Sequence, residues 1–197
     1  MSRARSLKYC VIAPAGAGKS TVAKLLKEEI ERCGLDCEVV KLAEPLYHLQ
    51  AAFYSAAGID ISRHQQNHPL MEGIADALRT LNPRSIVDDF MRRYHASTAS
   101  AVVNDDLRDL AVDWPVLREL GFVTIMVHAS AQLRAARLAQ RGDLKVSATS
   151  KLDANVFAIE HDIAIDNDGC SLKELREQVR AIVERDLGQL VSPVLGA

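Results

Sequence analysis

Tyr9-Cys10-Val11-Ile12-Ala13-Pro14-Ala15-Gly16-Ala17-Gly18-Lys19-Ser20 is an apolar run that breaks into small residues and closes on a lysine and a hydroxyl. From Thr21 onward the apolar residues recur at helical spacing, so the stretch reads as strand, loop and helix. Small side chains let backbone N–H groups curl around a phosphate, the helix start adds its positive dipole end, and Lys19 brings a full charge. Ala15, Gly16, Ala17, Gly18, Lys19, Ser20 and Thr21 are thus expected to hold nucleotide phosphates, with Ser20 on a Mg²⁺ between two of them. The template G-x-x-x-x-G-K-[ST] has glycine where this chain has Ala13, so a literal match fails there. The loop must enter that residue with an ordinary negative φ.

The 197 residues are 48% apolar and 25% charged, enough for one well-filled core. A net charge of −2 argues against a broad nucleic-acid surface, so phosphate binding must be local. Cys10, Cys33, Cys37 and Cys170 form no C-x-x-C pair. The basic start, Arg3 and Arg5, precedes too short an apolar stretch for a targeting segment, and no run is long enough to span a bilayer. Reduced thiols and a cytoplasmic location are the expectation.

Beyond the first helix, which ends near Cys33-Gly34, strands and helices alternate. Cys37–Leu42, Ala99–Val103, Val123–Val127 and Ile163–Ile165 read as strands. Helices are expected from Pro45 to about Tyr94 with breaks, over Trp114–Leu120, Ser130–Arg141 and Leu172–Leu187. This alternation implies right-handed crossovers and a parallel sheet covered on both faces. Two stretches exceed a simple crossover: Glu44 to about Ser100, and the polar run from Gly142 to Glu160. Both follow strand-containing units and can fold over the carboxyl edge of the sheet, where ligands of such folds sit.

Val102-Val103-Asn104-Asp105-Asp106-Leu107-Arg108 is an apolar strand ending in acids and a base. A carboxylate there can hold Mg²⁺ through water or accept a proton from an attacking phosphate oxygen, and Arg108 can grip an acceptor phosphate in a fork. Arg134, Arg137 and Arg141 are spaced to share a helix face; Arg137 and Arg141, nearest the polar run, suit charge developing on a transferred phosphoryl group. Asp162 to Gly169 is a strand entering a polar turn, where Asn167 and Gly169 can meet an adenine through the backbone. His64 and His68 are four apart but lack a third ligand at recognisable spacing, and His48, His95, His128 and His161 stand alone.

The loop, Leu42-Ala43-Glu44-Pro45-Leu46, Asp106-Leu107-Arg108 and Asn167-Asp168-Gly169 together resemble the P-loop nucleoside and nucleotide kinase family, closest to the phage-type deoxynucleoside monophosphate kinases. The resemblance implies an α/β three-layer P-loop kinase fold with a five-stranded parallel sheet in a single domain over 1–197, an inserted helical substrate-binding region at about 44–98 and a lid at about 139–160. It implies ATP and Mg²⁺ on Lys19 and Ser20, with Asp106 as a metal and acceptor residue. Glu44, Pro45, Tyr47, Arg92 and Arg108 are the implied acceptor-binding residues. The reaction implied is transfer of the γ-phosphoryl of ATP to a (deoxy)nucleoside monophosphate, giving the diphosphate. A dephospho-coenzyme A kinase shares much of the plan, and a nucleotide-binding protein without turnover is the non-enzymatic alternative. A GTP switch would need N-K-x-D, and the turn at Asn167 lacks the lysine. The expected partners are small nucleotides, with no stable nucleic acid and no membrane, and a homodimer is the candidate assembly.

Overall fold

The computed structural model describes residues 7–62, 65–140 and 156–191. Arg3, Arg5, Arg63, His64 and Arg141 lie outside the described residues, as do 141–155, most of the expected lid. In chain order the elements are β1 (Leu7–Ile12), α1 (Lys19–Arg32), β2 (Cys37–Val39), α2 (Glu44–Ala56), α3 (His68–Leu81), α4 (Ser85–Ala96) and β3 (Ala101–Asn104). There follow α5 (Asp113–Glu119), β4 (Val123–His128), α6 (Ala131–Gln140), β5 (Ile163–Asp166) and α7 (Leu172–Val191). The five strands form one sheet in the order β2-β3-β1-β4-β5, and every pairing is parallel.

β1 is apolar almost throughout because both of its faces are covered. Leu7, Tyr9 and Val11 pack with Val22, Leu26 and Ile30 of α1 and Val179 and Val183 of α7. The alternate residues Cys10 and Ile12 pack on the other face with Phe90 of α4, Leu117 of α5 and Met126 of β4. Three layers result, with the sheet in the middle.

The first layer is tied down by polar groups as well. Tyr9 Oη donates to Asp186 Oδ2 at 2.9 Å, joining β1 to α7. Glu29 is 1% exposed and accepts from Arg32 Nε at 2.8 Å, Arg176 Nη1 at 3.1 Å and Arg180 Nε at 3.1 Å, which clamps α7 onto α1. Burial alone would raise the Glu29 pKa, but the guanidinium hydrogen bonds outweigh it and hold the carboxyl at about 2.

β2 stops at Val39, short of the expected Leu42. The Val40 N–H still donates to the Val103 carbonyl at 2.9 Å, but the Leu42 and Ala43 N–H groups turn to the Asp106 carboxylate at 2.8 and 2.9 Å. A side chain thus takes over the donors that a longer ladder would have used, and the chain bends into α2, with Pro45 in its first turn. The long segment after β2 contains three helices, of which α4 buries Ile86, Val87, Phe90 and Tyr94 and serves as a crossover helix against the sheet. Among the described residues, no helix is long and apolar enough to cross a membrane.

Candidate active site

The carboxyl ends of β1 and β3 lie side by side, with Cys10 paired to Asn104, so the loop after β1 and the acids after β3 share one edge. In the loop, Gly16 and Gly18 take φ of +79° and +105°, which side chains disfavour. Space forbids a side chain at both positions: a Cβ on Gly16 would stand 2.6 Å from the Arg134 carbonyl oxygen, and one on Gly18 would stand 2.4 Å from Asn167 Nδ2. Ala13 is 1% exposed and belongs to the α1-side core, so its methyl fills core space instead of facing the loop's concave side. Lys19 Nζ donates back to the Ala13 carbonyl at 2.5 Å and the Pro14 carbonyl at 3.3 Å.

Two cavities meet at this edge. A cleft of about 980 Å³ is lined by Gly16, Gly18, Lys19, Ser20, Thr21 and Arg137, among others. A cavity of about 170 Å³ runs beside it under α2 and α3, lined by Ala15, Leu46, Met71, Arg79, Arg108 and Asp113, among others. Lys19, Ser20, Lys41, Tyr47, Gln66 and Asp105 line both and form the junction.

The acids after β3 divide their duties. Asp105 is 4% exposed, lines both cavities and pairs with Lys41 Nζ. Asp106 accepts from Leu42 N and Ala43 N, and from Asn104 Nδ2 at 2.8 Å. Burial and the charge of Asp105 push its carboxyl above the ordinary range, against Lys41 and the two amides. Asp106 thus fixes the entry to α2 and also lines the smaller cavity, while its neighbour Asp105 is the carboxylate at the junction.

The other expected residues are distributed unevenly. Arg108 lines the smaller cavity, Glu44 the larger cleft, and Tyr47 both. Pro45 opens α2 and is not a lining residue of either. Arg92 is on α4 with its side chain 77% exposed and paired with Asp89 at 2.6 Å, and it also lines neither. Arg137 lines the cleft and reaches the Ala17 and Asn167 carbonyls, both at 3.4 Å. The Asn167 side chain is buried against the loop, donating to the Ala17 carbonyl at 2.8 Å. Gly169 stands in a turn after β5 with φ +75° and lines neither cavity.

Sequence reasoning placed carboxylates at the end of β3 without singling out Asp105, and it missed Lys41 and the pair formed by Arg79 and Asp113. Arg79 Nη2 donates to Asp113 Oδ2 at 2.6 Å and its Nη1 lies 3.6 Å from Asp109 Oδ2. Burial, with Asp109 and Asp106 nearby, pushes the Asp113 carboxyl up to about 7 despite the attraction of Arg79. A lysine directly before Leu42-Ala43-Glu44 was the available signal for Lys41. Arg79 and Asp113 are 34 residues apart, and no spacing rule connects them.

The fold has solved counterparts. A gluconokinase from Sinorhizobium meliloti is 19% identical, covering 94% of this chain and 96% of that one with a TM-score of 0.50. The Mycobacterium tuberculosis APS kinase, solved in complex with AMPPNP and APS, is 17% identical over 91% and 98% of the two chains, TM-score 0.51. A shikimate kinase from Acinetobacter baumannii, solved with shikimate, is 13% identical over 95% and 96%, TM-score 0.52. No protein-family model and no curated protein sequence matches the chain. At these identities the likeness defines the fold: a five-stranded parallel α/β P-loop kinase fold.

Proposed function

We propose that this chain is an ATP-dependent small-molecule kinase, and that its acceptor is a (deoxy)nucleoside monophosphate, converted to the diphosphate. The observation that carries the reading is the junction. A phosphate-loop cleft of nucleotide size adjoins a smaller, partly apolar cavity, and their shared wall holds Lys19, Ser20, Lys41 and Asp105. Such a wall suits in-line transfer, in which catalysis is positioning and charge stabilisation rather than covalent chemistry.

The smaller cavity supports the choice of acceptor. Arg108 and the junction lysines supply charge for an acceptor phosphate. Beyond the junction stand Leu46, Met71, Ala75 and Ile86, apolar walls for a ring. There Arg79 is matched by Asp113 and Asp109, and Glu72 adds another carboxylate, so this part suits an uncharged polar ring better than a second anion. The serine hydroxyl of Ser20 and the carboxylate of Asp105 are hard oxygen donors suited to Mg²⁺ arriving with nucleotide phosphates. When bound, that ion neutralises phosphate charge. The loop glycines, Lys19 and Arg137 hold the donor, and 44–98 with α2 and α3 forms the acceptor region.

A coupled ADP-release assay across all ribo- and deoxynucleoside monophosphates, modified pyrimidine monophosphates, dephospho-coenzyme A, gluconate and shikimate tests this. Saturable turnover with one or more nucleoside monophosphates is expected. Saturable turnover confined to a non-nucleotide acceptor would overturn the acceptor assignment.

A further inference from the structure

Lys41 is anchored from several directions beneath a side chain that reaches the junction. The Arg93 Nη2 group, braced by Asp89 at 2.8 Å from Arg93 Nε, donates to the Lys41 carbonyl at 2.6 Å. On one side of it, Asn104 Nδ2 donates to the Val40 carbonyl at 3.0 Å; on the other, Asp106 holds the Leu42 and Ala43 amides. β2 is separated from β1 by β3, so their ends are about 9–10 Å apart, two strand spacings. Asp105 follows β3, the strand between them, and the long stem of Lys41 carries its charge one strand toward β1 to meet that carboxylate. Lys19 and Lys41 are the cationic residues that line both cavities among the described residues.

We propose that Lys41 is a catalytic residue whose ammonium contacts the phosphoryl group as it passes between the two cavities. This rests on the kinase reading above. In the step, the bond from the γ-phosphorus to the bridging oxygen of ATP breaks and its electron pair stays on ADP. A new P–O bond forms from an acceptor phosphate oxygen, and Lys41 keeps its proton throughout. Before substrates arrive, Asp105 holds the ammonium in place, so little reorganisation remains to be done during transfer.

The test uses a bisubstrate probe, adenosine and the best deoxynucleoside acceptor joined through five phosphates, titrated calorimetrically alongside ATP alone. Wild type is expected to bind the probe at least about 100-fold more tightly than ATP. Lys41→Met should lose about 10–100-fold on the probe and no more than about twofold on ATP, with kcat down about 100–1000-fold. Lys41→Arg should recover part of both. Lys41→Gln serves as a second neutral variant if Lys41→Met does not fold. In an Asp105→Asn background the loss from Lys41→Met should persist. Its disappearance there would mean that Lys41 acts only by holding Asp105, overturning the proposal, as would equal losses on probe and ATP. Tight probe binding by wild type and Lys41→Met alike would overturn the role of Lys41 alone. A wild type that binds the probe no better than ATP would overturn the two-cavity reading itself.

Discussion

Asn167 Nδ2 donates to the carbonyl of Ala17 at 2.8 Å, joining the turn after β5 to the middle of the phosphate loop across 150 residues of sequence. In a trans peptide the N–H points opposite to the carbonyl, so a hold on the Ala17 oxygen also sets the direction of the Gly18 N–H. Asn167 is 4% exposed and fills the space beside Gly18 that a Cβ would need. Asn167→Ala is therefore expected to raise the KM for ATP about tenfold, the effect of one neutral hydrogen bond, with less change in acceptor KM. Initial-rate kinetics with each substrate varied separately would show it. An unchanged ATP KM would mean that the loop holds its shape unaided.

Arg108 lines the smaller cavity and not the phosphate-loop cleft. Arg108→Ala should raise acceptor KM or lower kcat by about 10–100-fold, as for loss of a charge-assisted contact, while ATP binding changes little. Unchanged acceptor KM and kcat would remove Arg108 from the site.

Asp113, with a carboxyl pushed up to about 7 by burial first and by Asp109 and Asp106 second, makes stability depend on pH in a defined direction. Between the ordinary aspartate value of 3.8 and about 7 the folded chain binds a proton that the unfolded chain does not, so this group favours folding less as pH rises through that window. Replacement by Asn removes the titration. The melting temperature of Asp113→Asn relative to wild type should therefore improve between pH 5 and pH 8. An identical difference at both pH values would contradict the assignment.

Glu29 has the opposite sign. Its carboxyl is held at about 2, below the ordinary 4.5, so its contribution is fully present above 4.5 and is lost as pH falls toward 2. Glu29→Gln should cost about 2 kcal/mol in urea unfolding at pH 7, a modest figure because the arginines are partly exposed to solvent. The cost should shrink as the pH is lowered toward 2. A cost that is the same at pH 7 and pH 3 would contradict the account.

The sheet was legible because β1 is a short apolar run ending in a loop of small residues, and the later strands carry the same signal. The loop residues from Ala15 to Thr21 could be located for the same reason, since strand, loop and helix are contiguous in sequence. What escaped was set by contacts distant in sequence. The end of β2 depends on Asp106, more than 60 residues away, and the pairing of Asp105 with Lys41 likewise joins residues far apart in the chain. The Arg79 and Asp113 pair exists only because α3 is brought over the start of α5. Arg92 and Arg93 are adjacent in sequence, yet one points to solvent and the other holds the Lys41 carbonyl, a distinction of helix face that composition does not carry.

One junction is proposed to move a phosphoryl group from ATP to a second phosphorylated molecule. Phosphorus NMR of the protein with Mg²⁺, ATP and a deoxynucleoside monophosphate, alongside Lys19→Ala, tests it most directly. New α- and β-phosphorus signals of a nucleoside diphosphate are expected to form in step with ADP, and none with the folded Lys19→Ala variant. Release of inorganic phosphate without the acceptor diphosphate, or full transfer by Lys19→Ala, would contradict it.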